Sequence, residues 1–203
     1  MRYTKLTFAT LVIGTAVLWS CQSGTSEKAA DSPLVKAAMT KEEAIKRGQF
    51  IVDIGGCNDC HSPKQMTPQG PAVDPARKLS GHPAADPIPP VISSALKPGN
   101  WILMAPDLTT FVGPWGITHA ANITSDSATG IGAWTDEQFI KTMRTGKHLG
   151  LEGGRPVLPP MPWQEIGKLS DDDLKAMLAY LKTVPAIENR VPGPVPPDQA
   201  AAK

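Results

Sequence analysis

The sequence predicts an all-helical fold, and two observations support this prediction. Three segments, at 40–54, 135–146 and 170–184, place apolar residues at helical spacing behind a residue suited to an N-cap. The stretch between the first two, 62–133, holds eighteen of the 39 glycines and prolines and shows no alternation that would indicate a strand. We therefore interpret 62–133 as a long loop-rich insertion within a helical domain.

The first helix is predicted by local capping signals. Thr40 and Glu43 fit a capping box, and Gly55-Gly56 stops the apolar face that follows. The second and shorter helix has the same pairing at Thr135 and Gln138. Both helices are thus defined by their own residues, without reference to the rest of the chain.

The last helix is predicted by charge as well as by capping. Ser170 precedes three aspartates, Asp171–Asp173, which suit the positive end of a helix dipole. Leu174 begins an apolar face at helical spacing, and Pro185 ends the run.

Length and composition limit the class of protein. A chain of 203 residues forms one domain or at most two. Its formal net charge of +1 gives no electrostatic basis for nucleic-acid binding, and 41% apolar residues suffice for a core. The three cysteines are too few, and odd in number, for a disulfide scaffold.

The N-terminal segment reads as an export signal. Two basic residues precede Leu6–Trp19, an apolar run of 14 residues that suits a signal peptide and is too short for a membrane span. The run ends at Ser20-Cys21, which resembles the lipobox of bacterial lipoproteins, so Cys21 is the predicted acylation site. The alternative is an uncleaved anchor helix with an incidental cysteine. We divide the chain into a signal peptide at 1–20, a flexible tether at 21–40, a domain at 41–186 and a disordered tail at 187–203.

The chemistry is concentrated at the end of the first helix. Cys57-Asn58-Asp59-Cys60-His61 is a C-x-x-C-H motif, which is typical of covalent haem c attachment. Two thiols three positions apart form thioethers to one macrocycle, and the next residue, His61, is the predicted proximal iron ligand. A redox-active dithiol normally accompanies a βαβ pattern, and a zinc site needs further well-spaced ligands. Neither pattern is present in the sequence.

Two parts of the chain resemble a class I cytochrome c domain, together covering about 41–185. Residues 48–61, ending in the C-x-x-C-H motif, resemble the opening of such a domain. The C-terminal part of such a domain is resembled by residues 158–163 (Leu-Pro-Pro-Met-Pro-Trp), followed by 169–174 and 179–181. The resemblance implies the class I cytochrome c fold, in which the first and last helices cross, here with Gly48 and Tyr180 at the crossing.

A further stretch is similar to haem subunits of membrane-associated alcohol and sugar dehydrogenases. It comprises 122–126 and 129–136. Those subunits carry several haem motifs, whereas this sequence has one. The comparison therefore implies a monohaem electron relay.

The sixth iron ligand is predicted to be Met161. Thioether sulfur is a soft ligand that favours ferrous iron, and the prolines at 160 and 162 hold this residue extended in a loop. It also lies just before the last helix, where the resemblance places the distal methionine. The alternatives are three histidines and four methionines: His82, His119, His148, Met66, Met104, Met143 and Met177.

These residues predict an electron-transfer protein rather than an enzyme. One haem c with His61 and Met161 as axial ligands has no open position for a substrate. The expected partners are redox proteins (a dehydrogenase, an oxidase or other cytochromes) and a membrane reached through the N-terminal lipid, in the cell envelope and facing the periplasm. The alternatives are a haem subunit of a dehydrogenase complex, and a haem enzyme or gas sensor with an open distal site.

Overall fold

The computed structural model describes residues 39–201. The predicted signal peptide, Cys21 and all but the end of the predicted tether lie outside this range. The described residues form six α-helices and five β-strands in chain order. The helices are α1 (Lys41–Ile54), α2 (Cys57–His61), α3 (Asp136–Thr145), α4 (Trp163–Ile166), α5 (Asp171–Leu181) and α6 (Pro197–Ala200). The strands are β1 (Lys64–Thr67), β2 (Gly70–Val73), β3 (Leu103–Met104), β4 (Thr110–Gly113) and β5 (Gly116–His119).

The three helices predicted from the sequence are confirmed as α1, α3 and α5. Complete capping boxes begin α1 at Thr40 and α3 at Thr135, and the side chain of Ser170 accepts from the Asp173 amide at the start of α5. We call these three helices the helical frame. Each begins where a side chain satisfies amides that the helix itself leaves unpaired.

The first and last helices of the frame pack closely against each other. A Cβ added at Gly48 in α1 would overlap the carbonyl oxygen of Ala176 in α5 and lie 2.9 Å from Cβ of Tyr180. Only glycine permits this approach of two backbones. The contact closes a core in which Val52, Leu174 and Leu178 are fully buried.

The prediction of an all-α fold is wrong. The described residues are 36% helical and 13% strand, so the fold is mixed α/β. All five strands lie in the insertion, where β1 and β2 form one antiparallel hairpin and β3, β4 and β5 form a three-stranded antiparallel sheet. The insertion thus contains a second small architecture of its own.

The strands could not be predicted from the sequence because they are only two to four residues long. An alternating pattern needs about four to eight residues to be visible, and turn geometry fixes the register of hairpins as short as these. Gly116, at φ 95°, closes the turn between β4 and β5 in a conformation that favours glycine. The β-branched and aromatic residues at 109–112 and 117–118, flanking Gly-Pro-Trp-Gly, were the available signal.

The predicted disordered tail is instead ordered over most of its length. Val195 pairs with Ile117 of β5, and Ala200 of α6 is fully buried in a second apolar cluster with Val112. The prolines that suggested disorder hold an extended segment, which adds to the edge of the sheet. No helix within 39–201 is long and apolar enough to cross a membrane.

Candidate haem site

The two thiols lie on α2, a single helical turn directly after α1. Gly56, at φ 64°, adopts the left-handed conformation that separates the two helices, and its carbonyl accepts from the Asp59 amide. Cys57 and Cys60 are both free and partly buried, and Cys57 packs against the core of the helical frame. The motif therefore presents its sulfurs from a turn anchored at the edge of that core.

The histidine of the motif is oriented by a backbone carbonyl. His61 is buried, and its Nδ1 lies 2.7 Å from the carbonyl oxygen of Ala121. A carbonyl oxygen can only accept, so Nδ1 carries the hydrogen and Nε2 keeps its lone pair. Burial lowers the pKa of His61 below its ordinary value, which keeps the imidazole neutral. A neutral ring held at Nδ1 with Nε2 available is the usual state of a metal-ligating histidine.

The thiols do not have the character of a redox dithiol. Burial raises the pKa of Cys57 to about 11, and burial and Asp59 raise the pKa of Cys60. Reactive dithiols have lowered pKa values, so this environment disfavours that alternative. Within 39–201 no group of three or more His, Cys, Asp or Glu side chains is placed to hold a metal ion, so a zinc site is not supported either.

The insertion satisfies the end of α2, a role that the sequence analysis missed. The ammonium of Lys64 donates to the carbonyls of Asn58 and Asp59, and the amide of Gly81 donates 2.8 Å to the carbonyl of His61. Carbonyls at the end of a helix have no partner within the helix, and these three receive donors from the insertion. A lysine shortly after the motif was the only signal in the sequence.

Met161 lies in the loop between α3 and α4. It is partly buried, follows the cis Pro159-Pro160 bond, and its amide donates 3.3 Å to the carbonyl of Leu158. Trp163, two residues on, places its indole against Gly146 at the end of α3. The loop is attached to the end of α3 by Trp163 and by the Val157 amide, which donates 2.7 Å to the carbonyl of Gly146, and the assignment of Met161 as iron ligand stays a prediction.

Two of the alternative histidines, His82 and His119, form a stacked pair. The amide of His82 donates to the carbonyl of Ala120, next to Ala121, whose carbonyl holds His61 Nδ1. His119 stacks on His82 with ring centroids 4.6 Å apart. In both rings of this pair, Nδ1 lies within hydrogen-bond distance of the Thr110 hydroxyl.

The remaining alternatives have other environments. His148 makes an edge contact with Trp134, their ring centroids 5.3 Å apart. Met177 is buried in the core of the helical frame and Met143 packs against it, as expected for core residues. Met66 and Met104 are more than half exposed.

The arrangement defines a c-type haem site: two thiols on one helical turn, followed by a buried neutral imidazole with Nε2 available. Residues 45–185 match the Cytochrome c family, and the chain belongs to that family. Haem c is accordingly its cofactor, bound covalently through Cys57 and Cys60.

Three curated relatives are cytochrome subunits of dehydrogenases. The chain is 30% identical over 155 residues to the cytochrome c subunit of the quinone alcohol dehydrogenase of Gluconobacter oxydans, covering 74% of this chain and 24% of that protein. It is 28% identical to the gluconate 2-dehydrogenase cytochrome c subunit of Pantoea cypripedii, covering 71% and 25%. It is also 28% identical to the fructose dehydrogenase cytochrome subunit of Gluconobacter japonicus, covering 72% and 23%. The chain thus spans about a quarter of the length of these relatives.

Proposed function

We propose that this protein is a monohaem electron carrier in which His61 and Met161 are the axial ligands of haem c. The observation that carries the proposal is the hydrogen bond from His61 Nδ1 to the Ala121 carbonyl, which leaves Nε2 as the ring nitrogen with a lone pair for iron. The bound haem supplies one reversible electron between ferric and ferrous iron. The chain contributes attachment, ligand orientation and an apolar core against which the site packs.

Three arguments favour Met161 as the sixth ligand over the other candidates. His82 and His119 are stacked on each other, and Met177 is enclosed in the core. Met161 stands in a loop bounded by prolines, next to a tryptophan that fixes the loop to α3. With both axial positions held by protein side chains, a substrate has no position on iron, and the protein has no catalytic role of its own.

The ligand assignment is tested with Met161→Ala and the matched control Met66→Ala. Met66 is 73% exposed, so its loss removes an equal side chain without disturbing the core. We expect Met161→Ala holoprotein to have a lower reduction potential and to bind carbon monoxide when reduced, since loss of the thioether opens one position. Met66→Ala should behave as the native protein. A native potential and spectrum in Met161→Ala would show that another residue is the sixth ligand.

The relatives favour a second function within the same reaction class. Since the similar proteins are cytochrome subunits of alcohol, gluconate and fructose dehydrogenases, this chain would accept electrons from a dehydrogenase partner. Redox partners associate through small transient interfaces, so a stable complex would distinguish a subunit from a free carrier. Purification of the tagged protein from its native membrane fraction decides between them. Co-purification of a dehydrogenase at fixed stoichiometry supports the subunit, and isolation alone supports the carrier.

We further propose that the protein is a lipoprotein of the cell envelope, anchored at Cys21 with its haem domain facing the periplasm. Two observations support this proposal. The apolar run ends at Ser20-Cys21, and covalent attachment of haem c requires that the chain be exported. Cys21→Ser should release the protein from the membrane fraction while leaving haem content unchanged. Retention of Cys21→Ser in the membrane would instead support an uncleaved anchor helix.

A further inference from the structure

One lysine of the insertion, Lys64, directs its ammonium hydrogen bonds to the haem-binding turn, which we define as residues 57–62. The ammonium of Lys64 lies 3.0 Å from the carbonyl oxygen of Asn58, 2.9 Å from that of Asp59 and 2.5 Å from that of Ser62. An ammonium has three hydrogens, and all three are used here on backbone carbonyls of the motif and the residue after it. No acidic side chain is among these three partners.

The hairpin of the insertion fixes this lysine in place. Lys64 is the first residue of β1 and pairs with Val73 of β2. The amide of Asp74 then donates 2.9 Å to the carbonyl of Pro63, which closes the base of the hairpin directly after the motif. Two strands therefore hold the lysine at the end of α2, rather than the side chain reaching it from a free surface.

The charge of Lys64 is only partly screened. The residue is partly buried, and burial is the main cause that lowers its pKa, partly offset by the nearby Asp59, Cys60 and Asp107. Its positive charge reaches His61, where it helps to lower the pKa of the imidazole. A cation also interacts favourably with the carbonyl end of a helix, which is where Lys64 lies.

We propose that Lys64 is a positioning residue that holds the haem-binding turn and, through its fixed charge, raises the reduction potential of the haem. The inference rests on the proposed electron-transfer function. Ferric iron carries one more positive charge than ferrous iron, so a nearby fixed cation disfavours the ferric state. The opposing charge of Asp59 is on an exposed residue and is screened more strongly than that of the partly buried ammonium.

The test compares three holoproteins with the native one. Lys64→Gln keeps amide donors for the carbonyls and removes the charge, whereas Lys64→Arg keeps the charge. The control is Lys97→Gln, which makes the same change in net charge on an exposed residue of the same insertion. By spectroelectrochemical titration, we expect Lys64→Gln to shift the ferric-to-ferrous ratio at a fixed electrode potential by about three- to tenfold toward ferric, where tenfold corresponds to about 59 mV.

Lys64→Arg and Lys97→Gln should stay within about twofold of the native ratio. A Lys64→Gln potential equal to that of Lys97→Gln would overturn the proposal, because a purely structural lysine would not move the potential. If Lys64→Gln does not take up haem, Lys64→Met is titrated instead, because it keeps the aliphatic part of the side chain and removes the charge; a Lys64→Met potential equal to that of Lys97→Gln would overturn the proposal. Failure of the proposed electron-transfer function can be told apart from failure of the Lys64 inference. In the former case the native protein itself would lack a reversible one-electron haem couple.

Discussion

The helical frame and the insertion are built on different principles. In the frame, α1, α3 and α5 each begin at a capping side chain and bury one apolar face in a common core. In the insertion, strands of two to four residues are held by turns and by a distant segment, since Val195 pairs with Ile117. The helices of the frame begin at local capping signals, whereas the insertion combines short hairpins with a contact to a segment far along the chain.

The haem motif lies where these two regions meet. The frame supplies α1, from which the turn carrying Cys57 and Cys60 continues directly. The insertion supplies the carbonyl of Ala121 that orients the His61 ring, and the amide of Gly81 that caps the His61 carbonyl. Attachment thus depends on the frame, while orientation of the ligand depends on the insertion.

The largest expected effect comes from removing the cofactor. Cys57→Ser with Cys60→Ser prevents thioether formation, and the chain then lacks the apolar bulk that bound haem would supply. Since the free energy of unfolding of a domain is about 5–15 kcal/mol, we expect the haem-free chain to lose cooperative unfolding altogether. Near-ultraviolet circular dichroism during heating measures this. Native-like cooperative melting of the haem-free variant would show that the frame is stable alone.

The next largest effect is expected at the contact between α1 and α5. Gly48→Ala places a methyl group against the Ala176 carbonyl, so the two helices must separate and the free energy of unfolding should fall by about 3 kcal/mol or more. Gly153→Ala is the matched control, because nothing lies within 4 Å of a Cβ at that position. Guanidinium unfolding followed at the haem band compares them. Equal stability of the two variants would contradict the close approach.

A pair of core truncations distinguishes the two regions directly. Leu174 in the frame and Ile117 in the insertion are both fully buried, in separate apolar clusters. Leu174→Ala should lower the free energy of unfolding measured at the haem by about 3 kcal/mol. Ile117→Ala should instead raise the rate of amide exchange within β4 and β5. It should lower the free energy of unfolding measured at the haem by less than half as much as Leu174→Ala. Equal losses at the haem would mean that the insertion and the frame unfold as one unit.

The smallest expected effect is the pH dependence that His82 contributes. Burial lowers the pKa of His82 below its ordinary value of 6.5, against the opposing charges of Asp107 and Asp86. The unfolded chain therefore binds a proton that the folded chain resists, and the folded state loses stability as the pH falls below 6.5. His82→Asn should reduce the loss of unfolding free energy between about pH 7 and pH 5. The change should be only a fraction of the loss expected for Leu174→Ala. An unchanged slope in guanidinium unfolding would contradict this.

The same comparison explains what the sequence could predict. Capping pairs such as Thr135 with Gln138, and the C-x-x-C-H motif, act over a few residues, so the three helices of the helical frame and the haem c cofactor were predicted correctly. The carbonyl of Ala121 is sixty positions from the His61 nitrogen that it accepts from, and a backbone atom carries no residue-specific signal. The C-terminal segment depends on a contact of that kind, because Val195 pairs with Ile117. The strands are too short for a visible alternation, and Lys64 bonds to nearby backbone carbonyls, which carry no residue-specific signal either.

Carbon monoxide binding by the native reduced holoprotein tests the central claim most directly. If the frame and the insertion hold His61 and Met161 on iron, both axial positions are occupied by protein side chains. The account predicts one haem per chain, a reversible one-electron couple and an unchanged ferrous spectrum on mixing with carbon monoxide. Rapid formation of a carbon monoxide adduct would contradict it and would favour a haem enzyme or a gas sensor.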